Sequence, residues 1–185
     1  MKALLDVHPA DWPALFVEMG VAAFHGRNAA RWVFQRGAHS WQEMTDLPAG
    51  LRERLEQEQP LGTAKLVSSS GAKDGAEKVL LEMQDGATVE AVGMPGTAGR
   101  TICLSTQVGC PVRCTFCASG LDGLGRNLSQ GEILEQALWL QRQQGAFHRV
   151  FIMGMGEAGF NLDAVLCALD LLMDSEGFGM SARRI

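Results

Sequence analysis

The sequence lacks any apolar run of the roughly eighteen residues that a membrane-spanning helix requires, so no such span is expected. Its first residues, MKALLDVHPADW, lack the long apolar stretch of a secretory signal, and a cytoplasmic setting is the expectation. Cysteines number only five, an odd count that argues against a disulfide framework and for a reducing compartment. Excess positive charge is missing too: 16 Lys and Arg stand against 21 Asp and Glu, a formal net charge of −5. Lys and Arg contacts to phosphate supply most nonspecific affinity for nucleic acid, so composition by itself does not favour an RNA partner. A basic face would have to be local.

What the chain does have is concentrated. Three of its five cysteines, Cys110, Cys114 and Cys117, form a Cys-x-x-x-Cys-x-x-Cys array. Thiolates this close are expected to converge on one metal centre. Iron–sulfur clusters are normally held by four cysteines, so three on a cubane leave one iron open to a substrate or cofactor. Zinc is the other reading, because clustered cysteines in cytosolic proteins are often zinc sites. Such sites usually close with a second ligand pair, and the sequence has neither a second Cys-x-x-Cys nor a His-x-x-x-His.

The words around the array narrow the choice. Cys103-Leu104-Ser105-Thr106-Gln107-Val108-Gly109-Cys110 leads into it and Arg126-Asn127-Leu128 follows it. With the spacing, they resemble the RlmN/Cfr family of radical S-adenosylmethionine RNA methyltransferases, the RlmN branch more than the Cfr branch. The resemblance implies a [4Fe-4S] cluster on Cys110, Cys114 and Cys117, S-adenosylmethionine at the open iron, and methylation of carbon 2 of an adenine in 23S rRNA and tRNA. The Cfr branch acts at carbon 8 instead. A flavodoxin-type electron donor and, for the complete protein, a monomer are also implied.

Residues 1–60 read as a small helical domain. Pro9 suits a first turn and Gly20 a stop, with Trp12, Leu15, Phe16 and Met19 at helical spacing between them. A second helix over residues 27–36 ends at Gly37 and buries Ala30, Val33 and Phe34; a third follows Thr45-Asp46-Leu47-Pro48 and carries Leu51 and Leu55 inward. Phe24, Trp32, Gln35-Arg36-Gly37 and Glu43-Met44-Thr45-Asp46-Leu47 resemble the helix-hairpin-helix-like accessory domain of that family, which implies RNA contact. His25 and Asn28 depart from its pattern. Arg27 and Arg31, one turn apart, suit either a phosphate or a solvated helix face.

Over residues 61–98 the period becomes alternating, and runs at 79–83 and 87–92 flank Asp85-Gly86, a strong hairpin signal. This segment reads as an antiparallel linker. Glu90 falls on the strand face opposite Val89, where an exposed glutamate is ordinary; the resemblance implies a part in proton transfer at the adenine. A core strand over 101–105 carries Cys103, by residue type a small buried hydrophobe. The resemblance makes it a thiol that resolves a covalent protein–RNA intermediate.

Ser129-Gln130-Gly131-Glu132 is a capping box that opens a helix burying Ile133, Leu134, Ala137, Leu138 and Trp139 up to Gly145. A buried strand over 150–153 runs into Gly154-Met155-Gly156-Glu157. Glycines at a strand's carboxyl end let a ligand approach the backbone, and a glutamate beside them can accept from the ammonium of S-adenosylmethionine; a tight strand-to-helix turn explains the pattern equally well. Where the family continues with proline, this chain has Ala158. Asn161 is expected to cap a last helix with Leu162, Val165, Leu166, Leu169 and Leu172 inward and Cys167 in the core.

The expected fold is therefore α/β: a helical accessory domain (1–60), an antiparallel β linker with a hairpin (61–98), and the first βα units of a partial (βα)6 radical S-adenosylmethionine barrel (99–185). The closing phrase, Phe178-Gly179-Met180-Ser181-Ala182-Arg183-Arg184-Ile185, resembles the one before the family's third barrel strand, so a chain lacking the carboxyl-terminal part is expected. No cysteine follows Cys167, which leaves the family's methyl-carrying cysteine unassigned. Alternatives are a noncatalytic remnant that binds RNA or a partner, and a zinc-stabilised interaction module.

Overall fold

The structure, a computed structural model, describes residues 3–185. Three helices come first: α1 (Trp12–Glu18), α2 (Ala23–Phe34) and α3 (Ala49–Glu58). The second begins four residues before the expected 27–36, since Ala23 and Phe24 already follow the extended Ala22 that ends the turn. Four antiparallel strands follow in sequence, β1 (Lys65–Gly71), β2 (Glu77–Glu82), β3 (Thr88–Met94) and β4 (Arg100–Cys103). A short ribbon, β5 (Gln107–Gly109) with β6 (Leu124–Asn127), stands apart from that sheet. Helix α4 (Gln130–Gln144) then returns the chain to β7 (Phe147–Phe151), which pairs with β4 in parallel, and α5 (Leu162–Met173) comes last.

The main sheet has the order β1-β2-β3-β4-β7, so the antiparallel unit and the strand leading to the cysteines share one ladder. Its two faces differ because strand side chains alternate. Val79, Leu81, Val89, Ala91, Ile102 and Val150 are buried on one face, with Ile133, Leu134, Ala137 and Leu138 of α4 also buried. The opposite face carries Lys78, Leu80, Glu90, Val92, Cys103 and Phe151, none of them fully buried. Strand β1, exposed along its whole length and rich in serine, has no apolar alternation for sequence reasoning to detect; hydrogen bonds to β2 hold it.

A single connected core joins these parts. Trp12 meets Phe34 at 5.7 Å between ring centroids, and Phe178 bridges Phe34 and Phe147 at 5.5 Å each, so the helical region is packed onto the chain around β7. Two expectations for α5 are corrected. Val165, Ala168, Leu171 and Leu172 are buried, whereas Leu162 and Leu166 are each 53% exposed and Cys167 is exposed, because the helix is apolar on two stripes and only one faces the core. Asn161 precedes α5 without capping it: its amide donates to the carbonyls of Thr106 and Leu128, 2.8 Å each.

Candidate active site

Both candidate ligand loops leave the carboxyl ends of neighbouring parallel strands, the place where open α/β sheets bind ligands. The cysteine loop is closed at its base by the β5–β6 ribbon, where the Cys110 amide donates to the Gly123 carbonyl at 2.9 Å. Gly109 there has φ of 73°, and a Cβ on it would lie 2.1 Å from the Gly123 oxygen. Within the loop Arg113 takes φ of 53°, the left-handed region that L side chains disfavour, as the backbone presses against Gly120. Cys110 and Cys117 are half-buried, Cys114 is exposed, and all three are free. Phe116 stands 90% exposed among them.

The loop after β7 extends the β4–β7 ladder irregularly. Gly154 N–H donates to the Leu104 carbonyl, and Thr106 N–H to that of Met155. The space that a side chain would need at Gly154 and Gly156 is filled from within the protein: a Cβ would come within 2.6 Å of the Ser105 hydroxyl at Gly154, and within 2.7 Å of Gln107 at Gly156, whose φ is 98°. Glycine is thus required at both positions for internal packing alone. Glu157 is exposed, one of its carboxylate oxygens accepting from Gly159 N–H at 3.2 Å.

Glu90 and Cys103 share the open sheet face. Val92 pairs directly with Cys103, and Glu90 lies two residues along β3. The Glu90 carboxylate meets the Lys78 ammonium at 2.7 Å, its amide donates to the Met155 sulfur, and its carbonyl accepts from the Ser105 hydroxyl. Burial pushes the Cys103 thiol up from its ordinary value, with a smaller opposing effect from a Met153 backbone hydrogen bond.

Residues 2–60 match the family model for the ribosomal RNA large subunit methyltransferase N-terminal domain. Over 178 residues, 95% of this chain, the sequence is 47% identical to a Rhodopirellula baltica protein named "Probable dual-specificity RNA methyltransferase RlmN", of which it covers 47%. A protein of the same name from Thermus thermophilus is 40% identical over all of this chain and 51% of its own length. The crystal structure of a radical SAM methyltransferase from Sphaerobacter thermophilus superposes with a TM-score of 0.93 at 34% identity, over the whole of this chain and 56% of that one. Homology to the RlmN family runs through the entire chain.

The chain spans about half the length of the curated RlmN relatives it matches. Its fold is that of a radical SAM methyltransferase over the same extent, with the amino-terminal helices and mixed sheet corresponding to part of a βα barrel. Among the described residues, no three His, Cys, Asp or Glu side chains are grouped as a metal-ion site. In donor chemistry Cys110, Cys114 and Cys117, free thiols on an open loop with a fixed base, fit an iron–sulfur cluster. Among the described helices none is long and apolar enough to cross a membrane.

Sequence reasoning overlooked the polar residues beneath this site. Ser105 and Gln136 are fully buried, and the Gln136 carboxamide accepts from Ser105 N–H at 2.9 Å and donates to the Ser105 carbonyl at 3.0 Å. Ser105 Oγ in turn accepts from Met155 N–H at 2.8 Å. A Ser-Thr-Gln run at the exit of a core strand was the available signal, since polar residues there must find partners if buried.

Proposed function

We propose that this chain supplies the cluster-binding, S-adenosylmethionine-binding and RNA-facing parts of an RlmN-type reaction, methyl transfer to carbon 2 of an adenine in 23S rRNA and tRNA, in the cytoplasm. One arrangement supports the reading: the cysteine loop and the Gly-Met-Gly-Glu loop emerge side by side from β4 and β7, with Glu90 and Cys103 on the open face next to them. Cys110, Cys114 and Cys117 would hold a [4Fe-4S] cluster. When bound, that cluster supplies the electron, drawn from a flavodoxin-type donor, for reductive cleavage of S-adenosylmethionine. The backbone of Gly154, Met155 and Gly156 would lie along the aminoacyl end, and the Glu157 carboxylate would accept from its ammonium.

Glu90 would exchange a proton at the adenine, its carboxylate oriented by Lys78. Cys103, whose thiol burial keeps protonated, would act on a covalent protein–RNA intermediate once a base removes that proton. Arg27 and Arg31, both exposed on α2, would meet RNA phosphates.

Anaerobic reconstitution with iron and sulfide tests the reading. The expected product binds about four iron atoms, absorbs broadly near roughly 400 nm and is reducible, and replacing any of the three cysteines with alanine lowers its iron content. It also binds S-adenosylmethionine. Tetrahedral zinc in an air-excluded sample, or metal content unmoved by the cysteine substitutions, would sink the proposal and favour a zinc module.

A further inference from the structure

Gln107 and Asn127 face each other across the β5–β6 ribbon that closes the cysteine loop. Gln107 Nε2 donates to Asn127 Oδ1 at 2.7 Å, which leaves Gln107 Oε1 and Asn127 Nδ2 to reach outward. Both reach the same turn. Glu157 N–H donates to Gln107 Oε1 at 2.9 Å, and Asn127 Nδ2 donates to the Phe160 carbonyl at 3.1 Å. That turn is itself closed by Phe160 N–H on the Glu157 carbonyl at 3.0 Å, so the two carboxamides grip its first residue and its last.

The orientation of the pair is determined by chemistry. An amide N–H such as that of Glu157 can only donate, so Gln107 must present its oxygen there and its NH2 to Asn127; Asn127 must then answer with its oxygen and turn its own NH2 to the Phe160 carbonyl. Each of the four groups has a partner of the right kind. Gln107 is fully buried, so its bonds are shielded from competing water, whereas Asn127 is exposed.

We infer that Gln107 and Asn127 are a positioning pair that fixes the Glu157 turn against the base of the cysteine loop, so that the ligand for the S-adenosylmethionine ammonium and the ligands for the cluster are held in one rigid frame. The inference rests on the proposed role of Glu157. It goes beyond that role in naming two residues, neither a ligand, on which cofactor affinity depends while cluster assembly does not.

The test uses the full chain, reconstituted anaerobically, as parent, Gln107→Ala, Asn127→Ala, the double variant and the conservative Gln107→Glu. Iron content, melting temperature and the Kd for radiolabelled S-adenosylmethionine by equilibrium dialysis are measured on each. Gln107→Ala is expected to weaken binding about tenfold and Asn127→Ala about threefold, as suits a buried and an exposed hydrogen bond. The double variant is expected to bind more weakly than Gln107→Ala but by less than the product of the two single effects, because Asn127 holds the Phe160 carbonyl directly while the Gln107–Asn127 bond is shared. Gln107→Glu keeps an acceptor for Glu157 N–H but sets a second acceptor against Asn127 Oδ1, so it is expected to recover only part of the affinity lost in Gln107→Ala. Iron content stays at the parental level throughout. Parental affinity in Gln107→Ala overturns the inference, and so does iron content falling in step with affinity, which would mark a purely structural role. Absence of S-adenosylmethionine binding in the reconstituted parent is a distinct outcome: it defeats the proposed function, and the positioning role with it.

Discussion

Two glycines of opposite character show how single positions constrain this chain. Gly156 combines φ of 98° with a Cβ direction that runs into Gln107 and Thr106, so Gly156→Ala must strain the backbone and displace buried atoms. A loss of about 2–3 kcal/mol in unfolding free energy is expected from a denaturant titration. Gly50 lies near the start of α3 with nothing within 4 Å of its Cβ direction. There Gly50→Ala should raise stability by about 0.5–1 kcal/mol in the same assay, by restricting the unfolded chain without touching the folded one.

Glu135 belongs to this scale as well. Burial raises its carboxyl above the ordinary value of 4.5, against the opposing effects of Ala64 and Thr63 amides and of Arg142. A carboxyl with a raised folded pKa holds its proton longer in the folded state, so its contribution is fully present below about pH 4.5 and declines as pH rises beyond it. Glu135→Gln still offers an oxygen to the Thr63 and Ala64 amides. Chemical denaturation from pH 4 to 8 should therefore show a flatter stability profile in the variant, with stability at pH 4 within about 1 kcal/mol of the parent.

Between elements, Arg126 on β6 is the principal polar fastener. Its guanidinium binds Asp85 at the β2–β3 turn at 2.7 and 2.9 Å and Glu132 at the start of α4 at 2.8 Å twice. The Arg126 hydrogen bond, with help from the Ala87 amide, holds the Asp85 carboxyl down at about 2 from 3.8. A depressed folded pKa contributes stability above the unfolded value that is lost as pH falls toward the folded one. Arg126→Ala should lower stability near neutral pH and flatten the acid limb between about pH 4 and 2. Unchanged acid sensitivity in the variant would show that the fastener contributes nothing.

The whole molecule is expected to unfold as one unit. The aromatic chain from Trp12 through Phe34 and Phe178 to Phe147 couples the helical region to β7, and a single core includes residues from Leu4 to Leu172. Tryptophan fluorescence, to which the buried Trp12 and Trp41 contribute, and far-ultraviolet circular dichroism should therefore report coincident transitions. Separate midpoints would show that the helical region folds independently.

From the sequence alone one could read the three amino-terminal helices, the Asp85-Gly86 hairpin, the capping box of α4 and the cysteine array with its flanking words, because each is encoded by neighbours along the chain. Helical spacing, turn chemistry and ligand spacing are local properties. The serine-rich β1, the outward stripe of Leu162 and Leu166 on α5, and the exposure of Cys167 were decided by what packs on which face, and no local pattern records that. The same holds for the Ser105–Gln136 and Gln107–Asn127 amide contacts. These depend on pairing between segments twenty or more residues apart, so only the folded chain brings their donors and acceptors within hydrogen-bonding distance.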